Sequence, residues 1–190
     1  MNFIRTKIPD VVIIEPKVYG DDRGYFVETF RQDKLESFLG YKLNFCQDNE
    51  SKSSYGVLRG LHYQLPPFSQ TKLIRVIEGR VLDIAVDIRQ GSKTFGKYVS
   101  VELTSKNRKQ MFVPRGFAHG FVVLSEHATV AYKVDNYYAP ECDSGIAYDD
   151  PALGVNWLVA KEELQLSDKD INQPLLSSAE IFDYTENFYG

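Results

Sequence analysis

The feature that most restricts the fold of this chain is a strict alternation. From Arg80 to Arg89, Leu82, Ile84, Val86 and Ile88 alternate with Asp83, Ala85, Asp87 and Arg89, the period of two expected of a strand with one buried and one wet face. The surroundings read the same way. Runs at 71–77, 98–103, 110–113, 120–124 and 128–134 are short, apolar and separated by turn residues such as Gly79, Gly91 and Gly96. Glu78-Gly79-Arg80 and the Gln90-to-Gly96 stretch have the lengths of hairpin connections. No segment between residues 55 and 135 carries a helical stripe, so the core is predicted to be antiparallel β, a sandwich or barrel.

Helices are expected only at the flanks. Asp33 to Leu39 places Leu35, Phe38 and Leu39 on one side with Gly40 as a C-terminal stop, and Lys161 to Leu164 fits a short turn. Beyond Pro174, Leu175, Leu176, Ile181 and Phe182 are too apolar to be left in water and predict a packed tail. With 190 residues and no repeat or linker, one domain over residues 1–190 is expected. An apolar content of 43% against 25% charged residues excludes disorder as the dominant state. A net charge of −4 gives no general field for nucleic acid or an anionic membrane, so an anionic ligand must meet a local basic site. The longest early apolar stretch, Val11 to Ile14, is far shorter than a signal-peptide core or the roughly 20 residues of a membrane helix. A cytoplasmic location is therefore expected. Cys46 and Cys142 lack CxxC spacing and read as small buried hydrophobes.

Of three histidines, His62 lies in Gly56-Val57-Leu58-Arg59-Gly60-Leu61-His62-Tyr63-Gln64 and His119 in Pro114-Arg115-Gly116-Phe117-Ala118-His119-Gly120. Both stretches resemble the two motifs of the cupin barrels. The usual cupin metal set, however, needs a second histidine where this chain has Gln64, and a glutamate where it offers Ser69, Gln70 and Lys72. An amide and an ammonium are poor company for a divalent metal, so a cupin without metal is expected.

The resemblance then narrows. Asp22-Arg23-Gly24-Tyr25-Phe26-Val27-Glu28, Gln47-Asp48-Asn49, Leu58-Arg59-Gly60-Leu61-His62-Tyr63-Gln64, Thr71-Lys72-Leu73, the Pro114-to-Phe121 run, Tyr132-Lys133 and Leu166-Ser167-Asp168-Lys169-Asp170 stand in the order found in the dTDP-4-dehydrorhamnose 3,5-epimerase family. They resemble that family over almost the whole chain to about Leu176. The resemblance implies an all-β, cupin-like double-stranded β-helix (jelly roll) with short flanking helices. It also implies a homodimer, no cofactor, and a dTDP-4-keto-6-deoxy sugar inverted at C3 and C5 on the way to dTDP-L-rhamnose.

The residues can be weighed against that chemistry. Inverting a carbon beside a ketone needs a base, a cation or donor for the enolate oxygen, and an acid on the opposite face. His62 is the natural base, because imidazole is the side chain whose ordinary pKa lies nearest neutrality; read alone, a histidine in a strand is more often a satisfied core residue. Lys72 is in phase with Ile74 and Val76 of an apolar strand, which aims its ammonium into the barrel mouth, although a first-residue lysine can also snorkel to water. Tyr132 shares a face with Val130 and Val134 and should point inward, as a core tyrosine would too. Ser167-Asp168-Lys169-Asp170 fits a helix capping box. The resemblance assigns Lys72 to the enolate oxygen, Tyr132 to reprotonation from the face opposite His62, and Asp170 to orienting His62, a role compatible with capping. It assigns substrate binding to Arg23, Phe26, Glu28, Gln47, Asn49, Arg59, His119, Tyr138, Asp143 and Lys169. Asp143 stands where the family more often has glutamate, one methylene longer, and Tyr148 where it often has tryptophan.

Three rivals remain: an enzyme inverting one carbon or moving the carbonyl, a non-catalytic sugar-nucleotide-binding cupin, and a metal-dependent cupin oxygenase. Joint presence of His62, Lys72, Tyr132 and Asp170 weighs against the second, because binding alone needs neither base nor acid. Gln64 weighs against the third.

Overall fold

Turn residues cut the chain into short strands, and the computed structural model, which describes residues 1–189, shows where each one goes. In order they are β1 (Asn2–Arg5), β2 (Val12–Glu15), β3 (Val18–Asp21), β4 (Gly24–Val27), the helix α1 (Gln32–Leu39), β5 (Gln47–Ser54), β6 (Leu58–Gln64), β7 (Lys72–Glu78) and β8 (Arg80–Asp87). There follow β9 (Arg89–Gln90), β10 (Tyr98–Thr104), β11 (Gln110–Val113), β12 (Phe117–Val123), β13 (His127–Val134), β14 (Asp143–Gly145), the helix α2 (Asp168–Ile171) and β15 (Phe182–Asp183). Two antiparallel sheets face each other, ordered β1-β2-β11-β7-β13-β5 and β10-β8-β12-β6-β14. This is the expected jelly roll with short flanking helices. The stop at Gly40 takes the left-handed conformation (φ 85°) that a glycine accepts without strain, its N–H returning to Glu36 O.

Three apolar layers hold the sheets. Ile74, Val76, Val81, Ala85, Met111, Val123 and Val130 fill the space between them. Leu82, Ile84, Val86 and Ile88 pack on the outside of the second sheet under Ile146, Trp157, Leu176 and Phe182. Val12, Ile14, Leu73 and Phe112 pack under Leu35 and Leu43 on the outside of the first. The alternation in β8 is therefore real, but its reading as one buried and one wet face is corrected. Asp83, Ala85 and Asp87 are as buried as their apolar neighbours. The apolar face of β8 points outward beneath the C-terminal tail, and the face with Asp83 and Ala85 points into the sandwich.

A second correction concerns Gly79. β7 and β8 do not form a hairpin; they lie in different sheets, and Gly79 is the corner between them. At φ +78° a Cβ there would sit 2.1 Å from His127 O, so both the turn and the close approach require glycine. The predicted Gln90-to-Gly96 connection does join paired strands, β8 and β10. Strand β12 begins three residues earlier than predicted and so includes His119. In the tail Leu176 and Phe182 are buried, whereas Leu175 stays exposed. The N-terminal strand expected across Arg23 to Phe30 is shorter, ending at Val27, and pairs only with β3. That two-strand ribbon belongs to neither large sheet and leaves Tyr19, Tyr25 and Phe26 exposed. No helix is long and apolar enough to cross a membrane among the described residues.

Candidate active site

Antiparallel pairing of β6 with β12 sets His62 and His119 directly opposite each other, 57 residues apart in the chain. From the facing sheet, β7 contributes Lys72, flanked in register by Val113 and Val134, and β13 contributes Tyr132 opposite Ile74. Together with Arg59, Lys169 and Asp170 these four side chains line a cavity of about 490 Å³, within the size range of small-ligand sites. An adjoining hollow of about 320 Å³ shares His62, Lys72, Tyr132 and Lys169 and adds Gln47, Asn49, Tyr138 and Asp143.

Arg59 and His62 should not face the same way. They are three apart on one strand, and a period of two puts them on opposite faces. The ladder between β6 and β12 slips by one residue: His119 is opposite His62 but Phe121 is opposite Arg59. This bulge inserts one extra residue beside Gly60 and resets the phase. Leu58, Leu61 and Tyr63 pack outward, while Arg59 and His62 both line the cavity. The backbones approach so closely that a Cβ on Gly60 would lie 2.4 Å from Gly120 Cα.

His62 Nε2 lies 2.6 Å from Asp170 Oδ1, out of line with the ring N–H. Burial pushes the Asp170 carboxyl up, but contacts with His62 and Ser167 outweigh it and hold Asp170 below the usual carboxylate range. Ser167 also caps α2, its Oγ accepting from Asp170 N at 3.2 Å, so capping and orienting coexist in one aspartate. Lys72 donates from Nζ to His62 O at 3.2 Å. Burial lowers its pKa to about 8, against the pull of Asp143 and Asp83. Burial raises the Tyr132 phenol, which keeps its proton throughout the neutral range.

Asp83, read from sequence as a wet-face residue, is a site member that the alternation concealed. It is fully buried and its Oδ1 meets His119 Nε2 at 2.8 Å. Burial lowers the His119 pKa more than Asp83 restores it. Its only sequence signal was an acid in a strand whose two faces both prove to be covered. Gln64 is also buried: its Nε2 donates to Phe68 O and Tyr137 O, and its Oε1 accepts from Ala139 N. The cupin metal position does not fit this donor set. One imidazole is committed to Asp83, the amide is saturated by backbone, and an ammonium stands among them.

Of the predicted binding residues, Gln47 Nε2 donates to Asn49 Oδ1 at 2.8 Å, both on the cavity wall, and Arg59, which also lines it, donates from Nε to the buried Ser53 Oγ at 3.2 Å. Asp143 Oδ2 receives the Tyr138 hydroxyl at 2.9 Å and also pairs with the Lys169 ammonium. The structure does not bring Arg23, Phe26 or Glu28 to this cavity. Arg23 pairs with Asp21 on the exposed ribbon, Glu28 pairs with Arg31 and Lys34, and Phe26 is 68% exposed.

Residues 5–178 match the family model described as dTDP-4-dehydrorhamnose 3,5-epimerase. The chain belongs to the dTDP-4-dehydrorhamnose 3,5-epimerase family. A relative of that name from Shigella flexneri is 51% identical over 96% of this chain and 99% of its own. A Legionella pneumophila dTDP-6-deoxy-D-glucose-3,5-epimerase, solved with dTDP-4-keto-L-rhamnose, is 47% identical at a TM-score of 0.93, covering 97% of this chain and 99% of its own. A 3'-monoepimerase from Streptomyces bikiniensis, solved with dTDP-quinovose, has 32% identity and a TM-score of 0.84, covering 91% and 87%. Against the usual pattern of the epimerase family, the shorter Asp143 still reaches both Tyr138 and Lys169. Tyr148, in place of the more usual tryptophan, lies away from the cavity and accepts from Trp157 Nε1 through its carbonyl.

Proposed function

We propose that the chain inverts C3 and C5 of dTDP-4-dehydro-6-deoxy-D-glucose, giving dTDP-4-dehydro-L-rhamnose. The observation that carries this reading is the convergence on one cavity of a carboxylate-paired histidine from one sheet and an ammonium and a phenol from the other. Both carbons flank the same ketone, so one enolate-holding group serves both inversions. His62 removes the proton through the ring nitrogen that Asp170 leaves free, Lys72 meets the oxygen as it becomes negative, and Tyr132 returns a proton from the facing sheet. Each inversion needs only proton transfer within these groups, and no cofactor enters the scheme. Greater identity to the double epimerases than to the 3'-monoepimerase favours inversion at two carbons. Arg59 and Lys169 are the local cations for the diphosphate, Arg59 through the fork that suits bidentate bonding. Incubating the protein with the keto sugar nucleotide in heavy water tests the reading: deuterium is expected at C3 and C5 with inversion at both. Exchange at neither carbon would exclude every epimerase version of it.

The assembly we propose is a cytoplasmic homodimer of single-domain subunits. Its support is the ribbon β3-β4, which holds Arg23, Phe26 and, just beyond, Glu28 away from the cavity of their own chain while exposing three aromatic side chains. Laid on a second copy, the ribbon would supply these residues to the partner's site and cover a free strand edge. Sedimentation is expected to show a dimer, and Arg23→Ala with Phe26→Ala is expected to weaken substrate affinity more than stability. A fully active monomer would refute the assembly.

A further inference from the structure

The ends of the strands that carry the reacting groups meet in one buried knot. Thr71 immediately precedes Lys72, Asp135 closes β13 three residues beyond Tyr132, and Arg115 lies in the turn that leads to β12 and His119. Asp135 accepts from Thr71 N at 2.6 Å and from Arg115 Nε at 3.1 Å. Into this knot the C-terminal tail returns. The Tyr189 hydroxyl lies 2.8 Å from Thr71 Oγ1 and accepts from Arg115 N at 3.0 Å, while Phe188 O accepts from Arg115 Nη1 at 2.7 Å. The Tyr189 ring stacks on Tyr41 with centroids 4.3 Å apart. Thr71 is fully buried, and a hydroxyl out of water is held firmly by whatever satisfies it. The tail residues that do this lie beyond residue 178, where the family match ends.

We infer that Tyr189 is a positioning residue, its phenol locking Thr71 and thereby fixing where the Lys72 ammonium sits in the cavity. The inference rests on the reaction proposed above and adds to it a clamp outside the reacting groups. Lys72 is the first residue of its strand. Pairing with Val113 and Val134 fixes its backbone on both sides, but the chain before it is a loop, and the knot holds the last residue of that loop. Releasing the bond between Tyr189 and Thr71 frees the residue next to the ammonium, and a displacement of about 1 Å at a reacting centre can lower a rate by about 10².

Tyr189→Phe keeps the ring and its stack on Tyr41 and removes only the hydroxyl. It is expected to lower kcat about tenfold with KM changed less than twofold, and to speed hydrogen exchange at the backbone amides of residues 71–74. In a Lys72→Met background the same change is expected to have no further effect on the residual deuterium uptake of the substrate, because coupled sites do not add. Thr71→Val, which breaks the bond from the other side, is expected to match Tyr189→Phe, and Thr71→Ser to retain wild-type kcat. An unchanged kcat in Tyr189→Phe, or an equal fractional loss with and without Lys72, would overturn the clamp. Failure of the wild-type protein to epimerise at all would instead remove the reaction on which it rests, and is read before any substitution is made.

Discussion

Replacing His62 with asparagine is expected to abolish both deuterium uptake and inversion, a loss of at least about 10² to 10⁴, the usual contribution of a general acid or base. Asparagine keeps an amide near Asp170 but cannot take up a proton at neutral pH. No enolate forms, so nothing downstream can occur. Tyr132→Phe is expected to behave differently, because the phenol acts after the proton has left. His62 can still remove a proton and return it on the original face, so this variant should exchange deuterium into the substrate while inverting little of it. The raised Tyr132 pKa supports the order, since a phenol held in its protonated form near neutrality serves as the acid. Mass spectrometry of recovered substrate, alongside separation of the product sugars, distinguishes the two. Exchange lost in Tyr132→Phe but kept in His62→Asn would reverse the assignment.

Lys72 supplies the second large effect, with a pH signature. Its pKa falls from 10.5 to about 8 through burial, so the ammonium is charged at pH 7 and largely neutral at pH 9. For the free enzyme, kcat/KM is therefore expected to fall tenfold per pH unit above about 8. The sign for stability is opposite. A cation whose pKa is depressed by folding destabilises the native state fully below about 8, and that penalty fades as pH rises toward 10.5. Lys72→Met should thus lose about 10² to 10³ in kcat, the usual toll for removing one oxyanion donor, without lowering Tm at pH 7. A Lys72→Met protein that loses Tm in parallel with activity would mean the lysine holds the fold instead. A wild-type kcat/KM profile flat to pH 9.5 would show that no group of this pKa controls the rate.

Much of this was legible in the residues and some of it could not have been. Side-chain period and turn residues located β8, β10, β11 and β13 because these depend on local sequence. Which face of β8 looks inward depends on what packs over it, and only the remote Trp157, Leu176 and Phe182 decide that. Asp83 was misread for the same reason. Gly79 read as a hairpin because a short glycine connection is the same in sequence whether it reverses a strand or crosses between sheets. Gly60 stands within the first motif, but the one-residue slip opposite Phe121 that sets Arg59 beside His62 is a property of two strands together. Lys72 and Tyr132 were placed correctly by phase, since β7 and β13 are regular at those positions. Arg23, Phe26 and Glu28 were found by resemblance alone, and a single chain does not bring them to the cavity.

The slip in the β6–β12 ladder also makes the bulge itself a point of vulnerability. Most substitutions in Leu58 to Gln64 would alter one contact, whereas any that straightened the strand at Gly60 would restore the regular two-residue period across a three-residue spacing and turn Arg59 or His62 toward the apolar layer under the C-terminal tail. Either the cation or the base would then leave the cavity, with every remaining side chain chemically intact. Drift in this stretch is therefore tolerable at most positions but not at Gly60, where a Cβ would lie 2.4 Å from Gly120 Cα, so a changed letter there would mark a relative with a differently arranged site.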